Sequence, residues 1–206
     1  MLGNMFENVF NRCFVLIKLN LYFWVLTVVG LVVTGVGPAL MTINELFTEY
    51  QWEHSEMTIK RTLQLFKRNW KVGNQLFLLF FASGLIISYN LFLAVQMQGL
   101  LFLVLDFFLI FILLAVFLSY NYALALNSRF EMAFFDLVKL ALMTFFANFF
   151  MVLKSLGGLA VVLFLTYKFP GLILFGAVAL VQIVIIFVAK NWFDQVEEKM
   201  VELDGE

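Results

Sequence analysis

The sequence predicts an all-α fold, a polytopic membrane helix bundle of about five transmembrane helices plus one amphipathic cytoplasmic helix. Three observations predict it. Hydrophobic residues make up 64% of the 206 residues and charged residues 13%, far from the composition of soluble domains. The apolar residues form long uncharged runs of the length that a helix needs to cross a ~30 Å hydrocarbon core. The 27 phenylalanines suit lipid-facing and helix-packing surfaces.

The first span is predicted at residues 20–43, which carry no charge. Asn20 and Trp24 begin it, and we expect Trp24 in the aromatic belt and Asn20 at a helix cap or helix contact. Arg12 and Lys18 precede this run as in a signal peptide, but the run is too long and GVGPA is a poor cleavage site. We therefore expect the span to be retained.

Helix-breaking residues lie near the end of the first span, at Gly35, Gly37 and Pro38. In lipid such residues require neighbouring protein to satisfy the freed backbone groups. The sequence leaves two interpretations of this helix break open. It is an end-of-span kink, or it is a broken helix that exposes backbone groups to a substrate, as in many transporters.

The loop at residues 45–74 is predicted to be cytoplasmic and to contain the amphipathic helix. Ile59, Leu63, Phe66 and Trp70 form one apolar stripe on that helix. Basic residues occupy its other faces: Lys60, Arg61, Lys67, Arg68 and Lys71. Together with Trp70 they indicate contact with anionic lipid or a partner. A surface helix packed on the bundle explains the same pattern.

The remaining spans are predicted at residues 75–95, 100–120, 140–167 and 171–189. The uncharged turn at 96–99 makes the first two a tight helical hairpin. We expect one long helix from near Ser128, with Arg129, Glu131, Asp136 and Lys139 in its turns outside the bilayer, and Arg129 as a polar helix-packing residue. The tail, residues 190–206, is expected to be a water-exposed cytoplasmic helix.

Basic residues predict the orientation, because Lys and Arg collect in cytoplasmic loops. Most of them fall in the loop 45–74, in the segment after the third span and in the tail. The N-terminus, the turn 96–99 and Lys168 fall on the other side. We therefore expect the N-terminus outside the cell, unless the N-terminal helix folds back at the interface.

Asp106 is the only charged residue between Lys71 and Arg129. A carboxylate inside a membrane is costly and is by default a functional-site hypothesis. Asn90 lies at nearly the same depth on the neighbouring helix, so the two form a candidate polar membrane site. The alternative is an aspartate hydrated near the outer interface.

Motifs for catalysis and cofactors are missing from the sequence. Cys13 is the single cysteine and His54 the single histidine, which excludes an intramolecular disulfide and a histidine-rich metal site. Paired carboxylates, a nucleophile elbow and a nucleotide loop are also lacking. We expect a non-enzymatic protein without cofactor or metal, whose net charge of -1 does not suggest nucleic acid.

Four short segments together resemble the YesL-like family of bacterial integral membrane proteins, a domain of unknown function 624. They are Asn20-x-x-x-Trp24, residues 34–40 (TGVGPAL), residues 66–71 (FKRNWK) and Arg129-Phe130. Each is short, and their order and spacing carry the resemblance. It implies a multi-pass protein of the bacterial cell (plasma) membrane.

The resemblance also implies a role, because members of this family are commonly encoded beside carbohydrate-uptake ABC transporters. We expect an accessory component of carbohydrate uptake, with the bilayer and a carbohydrate ABC transporter as partners. The alternative is a small transporter in its own right, built on Asp106, Asn90 and the Gly35–Pro38 break. One departure from the family is Tyr122-Ala123, where an aromatic-proline pair is common. Substrate and oligomeric state are not in the sequence.

Overall fold

The computed structural model describes the backbone of residues 2–130 and 132–204, and the side chains of residues 6, 7, 9–130 and 132–198. All regular structure in these ranges is helical, which confirms the predicted all-α class. The helices are α1 (Leu2–Val29), α2 (Val33–Tyr50), α3 (Ile59–Arg68), α4 (Trp70–Ala94), α5 (Leu100–Asn127), α6 (Phe134–Ala147), α7 (Phe149–Lys168), α8 (Leu172–Phe175) and α9 (Ala177–Asp204).

Five helical segments in the described ranges are long and apolar enough to span a membrane, which is the predicted number. They are Val9–Val29, Trp70–Ala94, Leu100–Asn127, Phe149–Lys168 and Ala177–Glu198. The chain is therefore a multi-pass membrane protein. The α4–α5 hairpin predicted around residues 96–99 is present, with Gly99 at φ 129°, a value that glycine adopts without strain.

The first span is shifted from its predicted position, because residues 20–43 are not one helix. α1 ends at Val29, Leu31 and Val32 both have φ 62°, and α2 runs back beside α1. A Cβ on Gly35 would collide with the carbonyl oxygen of Thr27. The small residue therefore allows the close approach at which the chain reverses.

This reversal also corrects the predicted position of the N-terminal segment. Asn11 donates to the carbonyl oxygen of Trp52 at 2.8 Å, and Lys18 donates to that of His54 at 2.7 Å. The start of α1 therefore lies at the same end of the bundle as the loop after α2, not opposite it. We call this end the polar end, and it also contains Ser128, which bonds Thr48.

The second half of the chain departs from the prediction at two breaks. No helix begins near Ser128: α5 continues to Asn127, α6 begins at Phe134, and Glu131 lies outside the described residues. The predicted long helix is then broken at Asn148 (φ -128°, ψ 75°), whose extended backbone separates α6 from α7. Beyond Gly176, the last span and the tail form one continuous helix, α9.

Candidate functional site

Glu45 is a buried carboxylate on α2, with 6% of its surface exposed. Its Oε2 atom accepts hydrogen bonds from Arg68 Nη2 at 3.0 Å and Asn69 Nδ2 at 2.8 Å. Its Oε1 atom accepts a longer one, 3.4 Å, from Asn127 Nδ2. A buried charge is tolerated only when it is paired and hydrogen-bonded, and two segments of chain, the α3–α4 junction and α5, supply the partners.

The local sequence explains how these partners meet. Asn69 is the junction at which α3 ends and α4 begins, so Arg68 and Asn69 sit together at one helix boundary. α4 is held against α2 because Gly37 and Gly73 touch: a Cβ on either would collide with backbone of the other helix. Small residues on both helices therefore bring the junction to the carboxylate.

The two glutamates of α2, which lie outside the five spanning segments, have pKa values that shift in opposite directions. Burial raises the pKa of Glu45 above its ordinary value, although the hydrogen bond from Asn69 and the charge of Arg68 act to lower it. At Glu49 burial also acts to raise the pKa, but the hydrogen bond and charge of Arg61 outweigh it and the pKa is lowered. Glu45, the more buried of the two carboxylates, therefore relies more on its hydrogen-bond and charge partners than Glu49 does.

A cavity of 360 Å³ adjoins the Glu45 cluster. Its polar lining is Glu45, Arg68, Asn69 and Asn127, and its apolar lining includes Phe130. The described residues contain no group of three or more His, Cys, Asp or Glu side chains that could hold a metal ion. The cavity offers hydrogen-bond donors and acceptors but no set of metal ligands.

A second polar cluster joins α2, α5 and α9 through side-chain amides. Asn44 Nδ2 donates to Gln182 Oε1 at 2.9 Å, and Gln182 Nε2 donates to Asn121 Oδ1 at 3.0 Å. All three side chains are buried. Amides that bond across helices satisfy polar groups where no water is available, so this chain of amides fixes α2 between its neighbours.

Asn20 and Trp24 stabilise the break between α8 and α9. Asn20 Nδ2 donates to the carbonyl oxygens of Ile173 (3.1 Å) and Leu174 (2.6 Å), and Trp24 Nε1 donates to Ile173 (3.2 Å). Asn20 Oδ1 accepts from the backbone N–H groups of Val178 and Ala179. One side chain thus satisfies backbone groups on both sides of Gly176.

Gly35, Gly37 and Pro38 do not form the predicted helix break. α2 runs through all three, and each is buried. The Pro38 carbonyl oxygen accepts a hydrogen bond of 2.7 Å from Thr42 Oγ1. These residues are closely packed within the bundle, and the break lies upstream at residues 30–32.

Asp106 and Asn90 do not bond each other in the described chain. Asn90 is exposed and donates to the carbonyl oxygen of Ile86 in its own helix at 2.8 Å. Asp106 Oδ1 is buried and has no hydrogen-bond partner among the described residues. The structure therefore leaves Asp106 unmatched and gives Asn90 a local role.

The basic residues around α3 divide into two groups. Arg61 pairs with Glu49 at 2.9 Å and Arg68 with Glu45 at 3.0 Å. The lysines are exposed and form no ion pair with described side chains: Lys60, Lys67 and Lys71. The predicted apolar stripe is also divided, since Phe66 is buried whereas Ile59, Leu63 and Trp70 are exposed.

Arg129 holds α9 to the end of α5. Its guanidinium pairs with Asp194 and with Glu197, the latter at 2.8 Å. These carboxylates are one helical turn apart on α9, so one guanidinium bonds both. The ion pairs fix the C-terminal part of α9 against the bundle.

The sequence reasoning missed the buried polar residues of the bundle. The sequence pattern predicts a loop from residue 45, yet α2 continues to Tyr50. A usable signal was the helical spacing of Ile43, Leu46 and Phe47, which keeps one apolar face through the charged segment. Asn121 and Gln182 were detectable as isolated amides within apolar runs.

Comparison with known families identifies the N-terminal part of the chain. Residues 16–91 match the model of a family described as "Protein of unknown function, DUF624". The match confirms the resemblance predicted from the sequence, and it covers α2, α3, Glu45 and most of α4. No curated protein and no solved structure matches the chain.

Proposed function

We propose that this chain, whose residues 16–91 match the DUF624 family model, is a non-enzymatic accessory component of carbohydrate uptake in the bacterial cell membrane. The carbohydrate assignment rests on the resemblance to a family whose members are commonly encoded beside sugar ABC transporters. The structural support is a surface suited to a membrane-bound partner. The single observation that carries it is the anchored extension of α9.

The C-terminal part of α9 from Asn191 onward, here called the α9 extension, is the proposed docking element. Arg129 pairs with Asp194 and Glu197, and Trp192 Nε1 bonds Thr144 Oγ1 at 3.1 Å. The opposite face remains exposed, with Asn191, Gln195 and Glu198 at helical spacing. A helix fixed on one side and polar on the other loses little conformational entropy when a partner binds.

Glu45 fits this non-enzymatic role as a structural carboxylate. Both of its oxygen atoms accept hydrogen bonds from side chains that belong to the α3–α4 junction and to α5. Its partners therefore hold three helices in register. We assign it to positioning α3 at the polar end.

The test is purification of the full-length protein from its own membrane in a mild detergent. We expect carbohydrate ABC transporter subunits, identified by mass spectrometry, to co-purify in a fixed ratio. We expect the double variant Gln195→Arg/Glu198→Arg to lose them and to lower sugar uptake in cells several-fold. The matched control is Gln96→Arg/Gln98→Arg at the exposed turn of the opposite end, which should behave as wild type.

Recovery of the protein alone in repeated preparations contradicts the proposal. So does unchanged sugar uptake in cells that lack the protein. Equal loss of the subunits in the control variant would show that the α9 extension is not the docking element.

A second candidate function is a small transporter, and one observation favours it. Asp106 Oδ1 is buried in a spanning helix without a partner among the described atoms, as expected of a residue that awaits an ion or substrate. Purified protein in vesicles should then take up sugar by itself, and Asp106→Asn should reduce the rate at least tenfold. An unchanged rate in that variant removes the basis of this candidate.

A further inference from the structure

The helical path from Ile59 to Lys71 carries its outward residues in two adjacent lines. At about 100° per residue, Ile59, Leu63 and Trp70 fall within a sector of about 40°. The lysines Lys60, Lys67 and Lys71 fall in a second sector of about 40°, roughly 80° further round. Asn69 keeps right-handed helical dihedrals (φ -80°, ψ -3°), so the path continues across the α3–α4 junction.

The buried face of this path lies opposite the lysines. Thr62, Leu65, Phe66 and Asn69 are buried and centre about 180° from the lysine line. The apolar line lies between the two, and Ile59, Leu63 and Trp70 are 67%, 40% and 41% exposed. The path therefore packs one face on the bundle, carries the apolar line next to that face, and places the lysines on the side that points away from the bundle.

The arginines and the lysines around α3 make different contacts. Arg61 and Arg68 turn back to the glutamates of α2, which fixes the rotation of α3 about its own axis. Lys60, Lys67 and Lys71 have no acidic partner among the described residues. Three positive charges are thus held in a line and form no ion pair with the side chains that the structure describes.

The location of α3 identifies what faces these residues. Trp70 and Lys71 are the first residues of the spanning segment Trp70–Ala94, so they lie where a membrane surface begins. α3 packs on the α1–α2 hairpin, since Tyr22 of α1 bonds Met57 just before α3 and Glu45 of α2 bonds Arg68 at its end. The basic and apolar residues at the start of this span therefore stand near the headgroup layer.

We propose that α3 binds the anionic phospholipid headgroups of the leaflet at the polar end. Ile59, Leu63 and Trp70 enter the acyl-chain boundary, and Lys60, Lys67 and Lys71 contact the phosphate groups above it. The helix keeps apolar and basic side chains in separate lines, and a lipid layer likewise keeps its acyl chains apart from its phosphate groups. The inference is independent of carbohydrate uptake and of the α9 surface.

The test measures which lipids stay bound to the purified full-length protein. The protein is reconstituted in an equimolar mixture of phosphatidylglycerol and phosphatidylcholine, extracted in mild detergent, and examined by native mass spectrometry. We expect wild type to retain phosphatidylglycerol preferentially. The triple variant Lys60→Gln/Lys67→Gln/Lys71→Gln should lose this preference, by roughly fivefold per lysine and on the order of a hundredfold in all.

A matched control removes the same charge elsewhere. Lys139→Gln/Lys154→Gln/Lys190→Gln changes three other exposed lysines and should keep the wild-type lipid ratio. Lys60→Arg/Lys67→Arg/Lys71→Arg keeps the charge and should largely keep the preference, which separates charge loss from misfolding. The proposal is overturned if wild type shows no preference for phosphatidylglycerol, if the glutamine variant at α3 keeps it, or if the control loses it equally.

Discussion

In soluble proteins apolar segments are buried and polar ones are exposed. α2 and the outer part of the α4–α5 hairpin show the opposite arrangement. α2 carries Asn44 and Glu45 and is mostly buried. The hairpin between Phe81 and Leu114 is almost entirely apolar, yet only Ala94 is buried there. Here the helix that carries polar groups is enclosed and the nearly all-apolar hairpin is exposed, so hydrophobicity alone does not decide which segment is buried.

The surrounding solvent explains the difference. Lipid tails are as apolar as leucine, so an apolar side chain gains little by leaving them for a protein interior. A polar side chain must instead find partners inside the protein, as Asn44 does with Gln182 and Glu45 with Asn69. Variants on α2 should therefore be costly, and similar variants on the outer hairpin should be nearly neutral.

The largest expected effect is at the contact between α2 and α4. Gly37→Leu places a side chain against the backbone of Gly73, and we expect a loss of about 3 kcal/mol in the free energy of unfolding. The matched control is Gly84→Leu on α4, where a Cβ meets nothing within 4 Å. Detergent unfolding of both purified variants checks this, and equal losses would contradict the comparison.

Glu45→Ala should have the next largest effect. It leaves the buried Asn69 amide without its acceptor, and we expect about 2 kcal/mol of destabilisation. Glu49→Ala on the same helix removes an exposed ion pair with Arg61 and should cost at most about 1 kcal/mol. The same unfolding assay decides; a smaller effect at Glu45 than at Glu49 would show that the buried cluster does not hold α3.

The smallest expected effect is in the chain of amides. Asn121→Leu removes the hydrogen bond from Gln182, and we expect about 1 kcal/mol of destabilisation, the scale of interhelical hydrogen bonds in membranes. Asn90→Leu is the control, since Asn90 is exposed and bonds only within its own helix among the described residues. Its expected change is close to zero. A loss at Asn90 comparable to that at Asn121 would indicate a partner for the hairpin.

Sequence reasoning succeeded where the pattern is local. The α4–α5 hairpin follows from two apolar runs and a glycine turn, and the family from the order of short motifs. It failed at the first span, because one uncharged run of residues 20–43 contains both arms of a hairpin. The chain turns back at Leu31 and Val32, which have φ 62°, and Gly35 lets α2 approach Thr27 closely there; hydropathy does not mark this position.

The candidate site was predicted less well than the fold for a related reason. Arg68 was identified as basic, but nothing in its neighbourhood shows that it faces Glu45, 23 residues earlier. Asp106 and Asn90 were matched by depth, yet Asn90 bonds its own helix. Which face of a helix meets which neighbour depends on packing between distant segments.

By itself the sequence determined the solvent of this protein, since composition and run length require lipid around its helices. The tertiary structure alone decided where the chain reverses, which carboxylate is buried and which arginines form ion pairs with it and with its neighbours. Hydropathy is a sum over neighbouring residues, and local sequence suffices to read it. A reversal or an ion pair depends on whether two distant backbones can approach, and that is settled only when the helices pack.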